Sequence, residues 1–346
     1  DLFNHNLLKM KKFVLDKRVF LRPHAKMHKS FNIADIQLKL GGATGICCQK
    51  VSEAEVFARL GVKDILITNQ ISDFIKIERL TKLSKLGCTI GCCVDNFQNV
   101  VELQKYSKKN NTNLNVYVEF DCGANRCGLQ SSKEIKILIN LINECKNLNF
   151  KGLQAYNGSN QHIIDNKLRQ IAVKETNKII KNLKSKLEIN DIFVTGGGTG
   201  CFEYEVEGGV YNEIQVGSYL FMDAHYSSIN HNFKKNIVFE NSLFLYTTVI
   251  SRRSNDFAVV DAGLKSLSID SGLPMVFHKN KDLSYLKCSD EHGIISNKDN
   301  FLNINDKILL IPGHCDPTCN LHDWYVVIKD NIVIDLWPIS ARGYSF

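Results

Sequence analysis

Along the first two-thirds of the chain, short and nearly continuous apolar runs alternate with segments whose apolar residues recur at helical spacing. The runs predict strands over 19–22, 44–49, 64–68, 88–94, 114–120, 150–156, 192–195 and 213–216. The periodic segments predict helices over 52–60, 73–86, 131–145 and 165–187, with another beginning near Ser30. Apolar runs without alternation are expected of parallel strands buried on both faces. About eight such strand–helix units predict an α/β fold, a closed (β/α)8 TIM-like barrel, with an open doubly wound sheet as the alternative.

From about Asn236 the pattern changes. Strands are predicted over 242–251, 257–260, 283–288, 307–311 and 324–328, and Asp330-Asn331 before Ile332-Val333-Ile334 reads as a hairpin turn. The expected organisation is a barrel over 1–235 and a C-terminal, mostly β domain over 236–346.

Composition adds limits. With 346 residues, 44% hydrophobic and 23% charged, the chain is in the range of globular proteins of two domains. No apolar run is long enough to span a membrane, and no signal-peptide pattern opens the chain. The net charge of +7 is spread over helix faces, as at Lys174, Lys178, Lys181 and Lys184, and does not form a nucleic-acid groove. Several of the twelve cysteines, Cys47, Cys48, Cys92, Cys93 and Cys122, fall within or beside predicted core strands, where cysteine acts as a small hydrophobe. Reduced thiols and a cytoplasmic location are the expectation. The chain begins at Asp1 without a methionine, so residues are expected to precede it.

In a βα barrel the C-terminal ends of the strands form the active-site face. The first predicted strand ends in Arg22-Pro23-His24-Ala25-Lys26-Met27-His28-Lys29. A lysine there, among other positive charges that disfavour its ammonium form, suits Schiff-base chemistry; a basic strand-to-helix loop is the plain alternative. Other ends bring Gln49-Lys50, Asn125-Arg126, Tyr156 through His162, Gly196-Gly197-Gly198-Thr199-Gly200, and Gly217-Ser218 to the same rim. Glycine-rich loops after the last two barrel strands can present N–H groups to a phosphate, with Thr199 and Ser218 adding hydroxyls; tight turns account for the same glycines. A Schiff-base lysine facing a phosphate site points to pyridoxal 5'-phosphate.

The second cluster is Pro312-Gly313-His314-Cys315-Asp316-Pro317. In an extended backbone His314 and Asp316 project to one side, away from Cys315. An imidazole and a carboxylate so placed form half a site for a divalent cation, with magnesium or manganese favoured over zinc by the oxygen ligand. A hydrogen-bonded turn is the alternative. His28, His225 and His292 are read as surface or satisfied core histidines, and Cys315 and Cys319 as structural thiols.

These residues resemble one family. The lysine segment, Asn125-Arg126-Cys127-Gly128, Gln154-Ala155-Tyr156, the loop 196–200, Asp261-Ala262-Gly263-Leu264-Lys265 and the segment 314–325 look like the D-threonine aldolase and D-serine dehydratase family. Residues 45–55, Cys288-Ser289-Asp290-Glu291-His292-Gly293 and Ser340-Ala341-Arg342-Gly343 are most similar to its 3-hydroxy-D-aspartate aldolases. The resemblance implies an alanine-racemase-type fold, a pyridoxal-phosphate-binding barrel plus a β domain, and a first strand preceding Asp1.

It also implies roles. Lys26 matches the Schiff-base lysine, and Gln49, Thr199, Gly217 and Ser218 match cofactor-binding positions. Arg126 matches an arginine near the cofactor's ring oxygen, Tyr156 a ring-side tyrosine, and His162 the base of the aldolases. His314 and Asp316 match the metal ligands. In the D-serine dehydratases a cysteine occupies the place of Asp316, so the aspartate points toward an aldolase with a harder metal. The implied reaction splits a 3-hydroxy-D-aspartate into glycine and glyoxylate, or D-threonine into glycine and acetaldehyde. A dehydratase of D-serine or 3-hydroxyaspartate is the nearest rival, and a non-catalytic pyridoxal-phosphate-binding protein is a further one. The expected partner is a small D-3-hydroxy amino acid, with no nucleic acid or membrane and with a homodimer as the assembly.

Overall fold

The computed structural model describes residues 1–189, 191–229, 238–254, 256–278, 283–298 and 300–346. The expected domain boundary at 235/236 lies outside these residues. They form two compact units: Met10–Lys26, Ser30–Gly217 and Gly343–Phe346 in one, and Asp1–Lys9, Met27–Lys29 and Ser218–Arg342 in the other.

The first unit is built on β1 (Phe20–Leu21), β2 (Ile46–Cys48), β3 (Asp64–Gln70), β4 (Thr89–Val94), β5 (Leu114–Glu119), β6 (Leu148–Ala155), β7 (Val194–Gly196) and β8 (Glu213–Ile214). Each pairs in parallel with its neighbour in sequence from β2 through β8, and β8 pairs with β1. The last seam is closed by backbone bonds from Thr44 N to Leu21 O, Cys47 N to Pro23 O and Ala25 N to Cys47 O, each 2.8 Å. The sheet is therefore a barrel, which excludes the open doubly wound alternative.

Its strands and helices follow from their patterns. Every residue of β2 is buried, as a strand enclosed on both faces requires. The helix Ser132–Glu144 buries Ile135, Leu138, Ile139 and Ile142, a single stripe at helical spacing, and starts where the Ser131 side chain accepts from Glu134 N. Two long helices go beyond the sequence expectation, Leu2–Lys17 and Phe97–Asn110, as do the short ones Phe202–Glu207, Ala224–Ser228 and Cys315–Cys319.

The barrel interior is polar at its N-terminal end. Arg22 bonds Asp64 at 2.7 Å and Glu213 at 3.0 Å, and the guanidinium lies against Gly45, where a Cβ would fall 2.2 Å from it. Burial works against the charge on Arg22, but Glu213 and Asp64 outweigh it and hold the guanidinium protonated. Thr195 and the paired amides of Gln154 and Gln215 continue this network from Glu213 up the barrel. Cys47, Leu66, Cys93 and Tyr117 pack as an apolar layer.

The second unit holds a six-stranded sheet of β9 (Leu245–Ser254), β10 (Phe257–Val260), β11 (Met275–Phe277), β12 (Tyr285–Cys288), β13 (Gly293–Ser296) and β14 (Lys307–Ile311), ordered β11-β14-β9-β10-β13-β12. All its pairings are antiparallel. Val249, Ala258, Val260, Leu267, Ile295, Ile308 and Leu310 form its core. A separate hairpin joins β15 (Trp324–Lys329) to β16 (Ile332–Pro338) through Asp330 and Asn331, both at positive φ, where Asn and Asp are tolerated. No described helix is long and apolar enough to cross a membrane.

Candidate active site

The barrel's C-terminal rim carries most of the expected side chains. Lys26 is exposed in the turn after β1, and its backbone N–H faces His24 Nδ1 at 3.4 Å. On the next strand, Gln49 is held by its own helix: Glu53, three residues into the helix Val51–Arg59, accepts from both Gln49 N and Lys50 N. Thr68 Oγ1 lies 3.0 Å from His24 Nε2 and 3.4 Å from Gln49 Oε1, which links the ends of the first three strands.

Arg126 is placed by a side-chain-built loop. Asp121 Oδ1 accepts from Gly123 N and Asn125 N, both at 3.0 Å, and Asn125 takes the left-handed backbone that asparagine tolerates. Gly128 closes the loop at φ 99°, where a Cβ would fall 2.7 Å from Asp121 N. The guanidinium then sits 5.7 Å from the Tyr156 ring centroid, in cation–π range. Arg126 Nη2 is also 3.9 Å from Glu119 Oε1. Burial raises the Glu119 carboxyl, and the hydrogen bond from Gln70 at 2.6 Å opposes it. Neither Glu119 nor Gln70 was legible as a site residue in the sequence.

The loop 196–200 behaves differently from a bare phosphate cradle. Gly198 N donates to Glu205 Oε2 and Gly200 N to Gln161 Oε1, each at 3.0 Å. Two glycine amides are thus committed to protein side chains, and what this loop offers an anion centres on Thr199 between them. Part of the glycine requirement is packing: a Cβ on Gly200 would fall 2.3 Å from Gln161 O. Buried Glu205 is pushed up to about 7 by desolvation, against the bonds from Gly198 and Gln161. His162 ends the short turn Ser159–His162 and is exposed. Gly217 and Ser218 fall at the division between the two units, the one in the barrel and the other outside it.

In the second unit the expected extended geometry at His314 is corrected. His314 is extended, but Cys315–Cys319 is a short helix, with Pro317 in its first turn where no N–H is needed. Asp316 therefore lies in that turn, where a carboxylate suits the helix dipole. Its Oδ1 still comes 3.7 Å from His314 Nε2. That is too long for a hydrogen bond. His314 Nδ1 meets Asp270 Oδ2 at 2.8 Å, and Ser271 Oγ lies 3.3 Å away. Burial acts upward on the Asp270 carboxyl, but bonds from His314 and Ser268 hold it below its ordinary value.

The donor sets fit both expected groups. An amine, a ring-facing guanidinium, a tyrosine and the Thr199 loop suit a phosphorylated aromatic aldehyde. An imidazole beside a carboxylate, backed by Asp270, suits a divalent ion. Among the described residues no cluster of three or more His, Cys, Asp or Glu side chains is placed to hold an ion. Cavities of about 410 and 270 Å³ open at the opposite end of the barrel strands, by Thr89, Asn115 and Lys151, and none of the candidate side chains lines them.

Fold and site together define the alanine-racemase-type class, a pyridoxal-phosphate-dependent fold family. Residues 1–225 match the alanine racemase N-terminal domain, and residues 242–328 match a serine dehydratase domain. The chain belongs to the D-threonine aldolase and D-serine dehydratase family that combines these two domains. It is 45% identical to a 3-hydroxy-D-aspartate aldolase of Paracoccus denitrificans over 352 residues, covering 100% of this chain and 91% of the relative. It is 39% identical to a D-threonine aldolase of Arthrobacter sp., covering 99% and 90%. The crystal structure of a D-threonine aldolase from Filomicrobium marinum superposes with a TM-score of 0.95 at 37% identity, covering 100% of this chain and 94% of that one. A D-serine dehydratase of Dictyostelium discoideum is more distant, at 25% identity over 96% of this chain and 92% of the relative.

Proposed function

We propose that this protein is a carbon–carbon lyase that splits a D-3-hydroxy amino acid between Cα and Cβ, with 3-hydroxy-D-aspartate as the preferred substrate and D-threonine as the second. The observation that carries the reading is the 45% identity, over the whole chain, to a 3-hydroxy-D-aspartate aldolase, against 25% to a dehydratase. Asp316 in place of a thiolate supports it, because a hard oxygen ligand suits an ion that binds a substrate hydroxyl.

Pyridoxal phosphate, when bound, supplies the electron sink for the pair released by Cα–Cβ cleavage. A magnesium or manganese ion supplies a lowered pKa for the 3-hydroxyl. The chain's own residues do the rest. Lys26 Nζ is the amine that would hold the cofactor through its aldehyde carbon. Thr199, with Gly217 and Ser218, would bind the phosphate, and Gln49, Tyr156 and Arg126 would fix the ring. Glu119, behind Arg126, restrains that guanidinium without neutralising a buried charge. His314 and Asp316 would hold the ion, with Asp270 setting the His314 tautomer that leaves Nε2 as a lone-pair donor. An imidazole nitrogen of His162 takes the 3-hydroxyl proton.

A homodimer is proposed as well. Trp324, Val326 and Ile328 on β15 and Ile332, Ile334 and Leu336 on β16 are each more than half exposed, an apolar density that isolated surfaces rarely carry. Sedimentation of the purified protein tests that assignment. The catalytic reading is tested by incubating the enzyme with D-threonine and with each 3-hydroxyaspartate diastereomer. Glycine plus an aldehyde supports it; a keto acid plus ammonia assigns a dehydratase instead.

A further inference from the structure

The turn Ser159–His162 and the loop 196–200 are joined by side chains that the proposed chemistry does not use. Gln161 Nε2 donates to Glu205 Oε1 at 2.9 Å, Glu205 Oε2 accepts from Gly198 N at 3.0 Å, and Gln161 Oε1 accepts from Gly200 N at 3.0 Å. Gln161 is fully buried and Glu205 is 1% exposed. The three bonds form a clamp, with one side chain beside His162 and the other on the helix that follows the loop. There is no slack in it: a Cβ at Gly198 would fall 2.7 Å from the Gln161 amide, and one at Gly200 would meet the Gln161 backbone. The turn and the loop are thus tied by three hydrogen bonds and close packing. On the far side of His162, buried Arg169 donates from Nη1 to Ile163 O at 2.6 Å and to Ile164 O at 3.3 Å. His162 is thus flanked by two residues whose positions are fixed from outside the turn.

We infer that Gln161 and Glu205 are positioning residues that tie the turn bearing His162 to the loop 196–200, so that an anion held by the loop and the imidazole are set in place together. The inference rests on the proposed reading of that loop as the cofactor-phosphate site. The raised Glu205 carboxyl supports it: an isolated acid is costly there, and the amide of Gln161 and the N–H of Gly198 offset the cost by being fixed in place.

The bond pattern provides its own control. Gln161→Met removes both Gln161 bonds. The exchange Gln161→Glu with Glu205→Gln preserves all three. The amide now at position 205 would donate to the carboxylate now at position 161 and accept from Gly198 N, and that carboxylate would still accept from Gly200 N. The full chain, freed of cofactor, is titrated with pyridoxal phosphate by absorbance and with inorganic phosphate by melting temperature. The reloaded enzyme is then assayed at saturating cofactor. Gln161→Met is expected to weaken both ligands about tenfold, the worth of one or two hydrogen bonds. Its kcat is expected to fall about tenfold or more with KM nearly unchanged, because the base is misplaced and substrate binding is not. The exchanged pair is expected to recover both. Weakened ligand binding with an unchanged kcat would overturn the coupling to His162 while leaving the phosphate reading intact. If the exchanged pair is as impaired as Gln161→Met, the clamp is not the cause. If the parent protein takes up neither ligand, the cofactor reading fails and the inference fails with it. Should Gln161→Met not fold, Glu205→Gln alone against the exchanged pair makes the same comparison.

Discussion

His314 and Asp270 are 44 residues apart in sequence and meet through Nδ1 and Oδ2 at 2.8 Å, which leaves His314 Nε2 to face Asp316. At the proposed metal site, Asp270 would be the carboxylate that orients the His314 imidazole. Asp270→Asn keeps the size but can present its N–H2 to Nδ1. The metal concentration for half-maximal activity is expected to rise roughly ten- to a hundredfold, the usual cost of such a partner. Titration of the chelated enzyme with manganese measures it, and an unchanged midpoint would remove Asp270 from this role.

Cleavage should depend on His162 through the proton step alone. His162→Ala is expected to lower kcat by about a hundred- to ten-thousandfold, the range for losing one general base. Binding of pyridoxal phosphate should survive. Exchange of the glycine α-proton with solvent should also survive, since no hydroxyl takes part in it. Parallel loss of exchange and cleavage would move the base elsewhere.

The buried Glu205 makes stability depend on pH. Its carboxyl rises from 4.5 to about 7 on folding, so the folded state holds the proton more tightly than the unfolded chain. Its contribution is fully present below pH 4.5 and is lost as pH rises through 7, a span of about 3 kcal/mol. Stability to urea between pH 5 and 8 should therefore fall less steeply for Glu205→Gln than for the parent. Equal slopes would mean that the carboxyl does not titrate there.

How much of this was legible in the sequence follows from what each element buries. Strands such as Ile46–Cys48 are apolar throughout and read directly. The helix Phe97–Asn110 does not, because its buried face mixes Val100 and Leu103 with Asn99, Ser107 and Asn110. Met275–Phe277 is a strand with two of its three residues exposed, so no burial pattern marks it. The pairing of His314 with Asp316 was visible from spacing, but the short helix beneath it was not, since Pro317 suits a helix start and a turn equally. Asp270, Glu119 and Glu205 had no signal at all: nothing local separates a carboxylate that folding buries beside a distant partner from one that faces water. Closure of the barrel was expected from the count of about eight strand–helix units, but the three backbone bonds between 21–25 and 44–47 that make its last seam carry no periodic signal.

At the barrel's N-terminal end, Arg22→Met is expected to leave Glu213, 2% exposed, without its guanidinium. Removing one partner of a buried pair costs about 3–5 kcal/mol, and chemical denaturation should show a loss of that size. A loss under about 1 kcal/mol would mean the pair is exchanged for water at little cost.

The central claim is that the bond between Cα and Cβ breaks. It is tested most directly with 3-hydroxy-D-aspartate carrying ¹³C at both positions, followed by carbon NMR as the enzyme turns over. The expected result is loss of the one-bond carbon–carbon coupling as labelled glycine and labelled glyoxylate appear in equal amounts. A product that keeps the coupling, a four-carbon keto acid released with ammonia, would contradict the account.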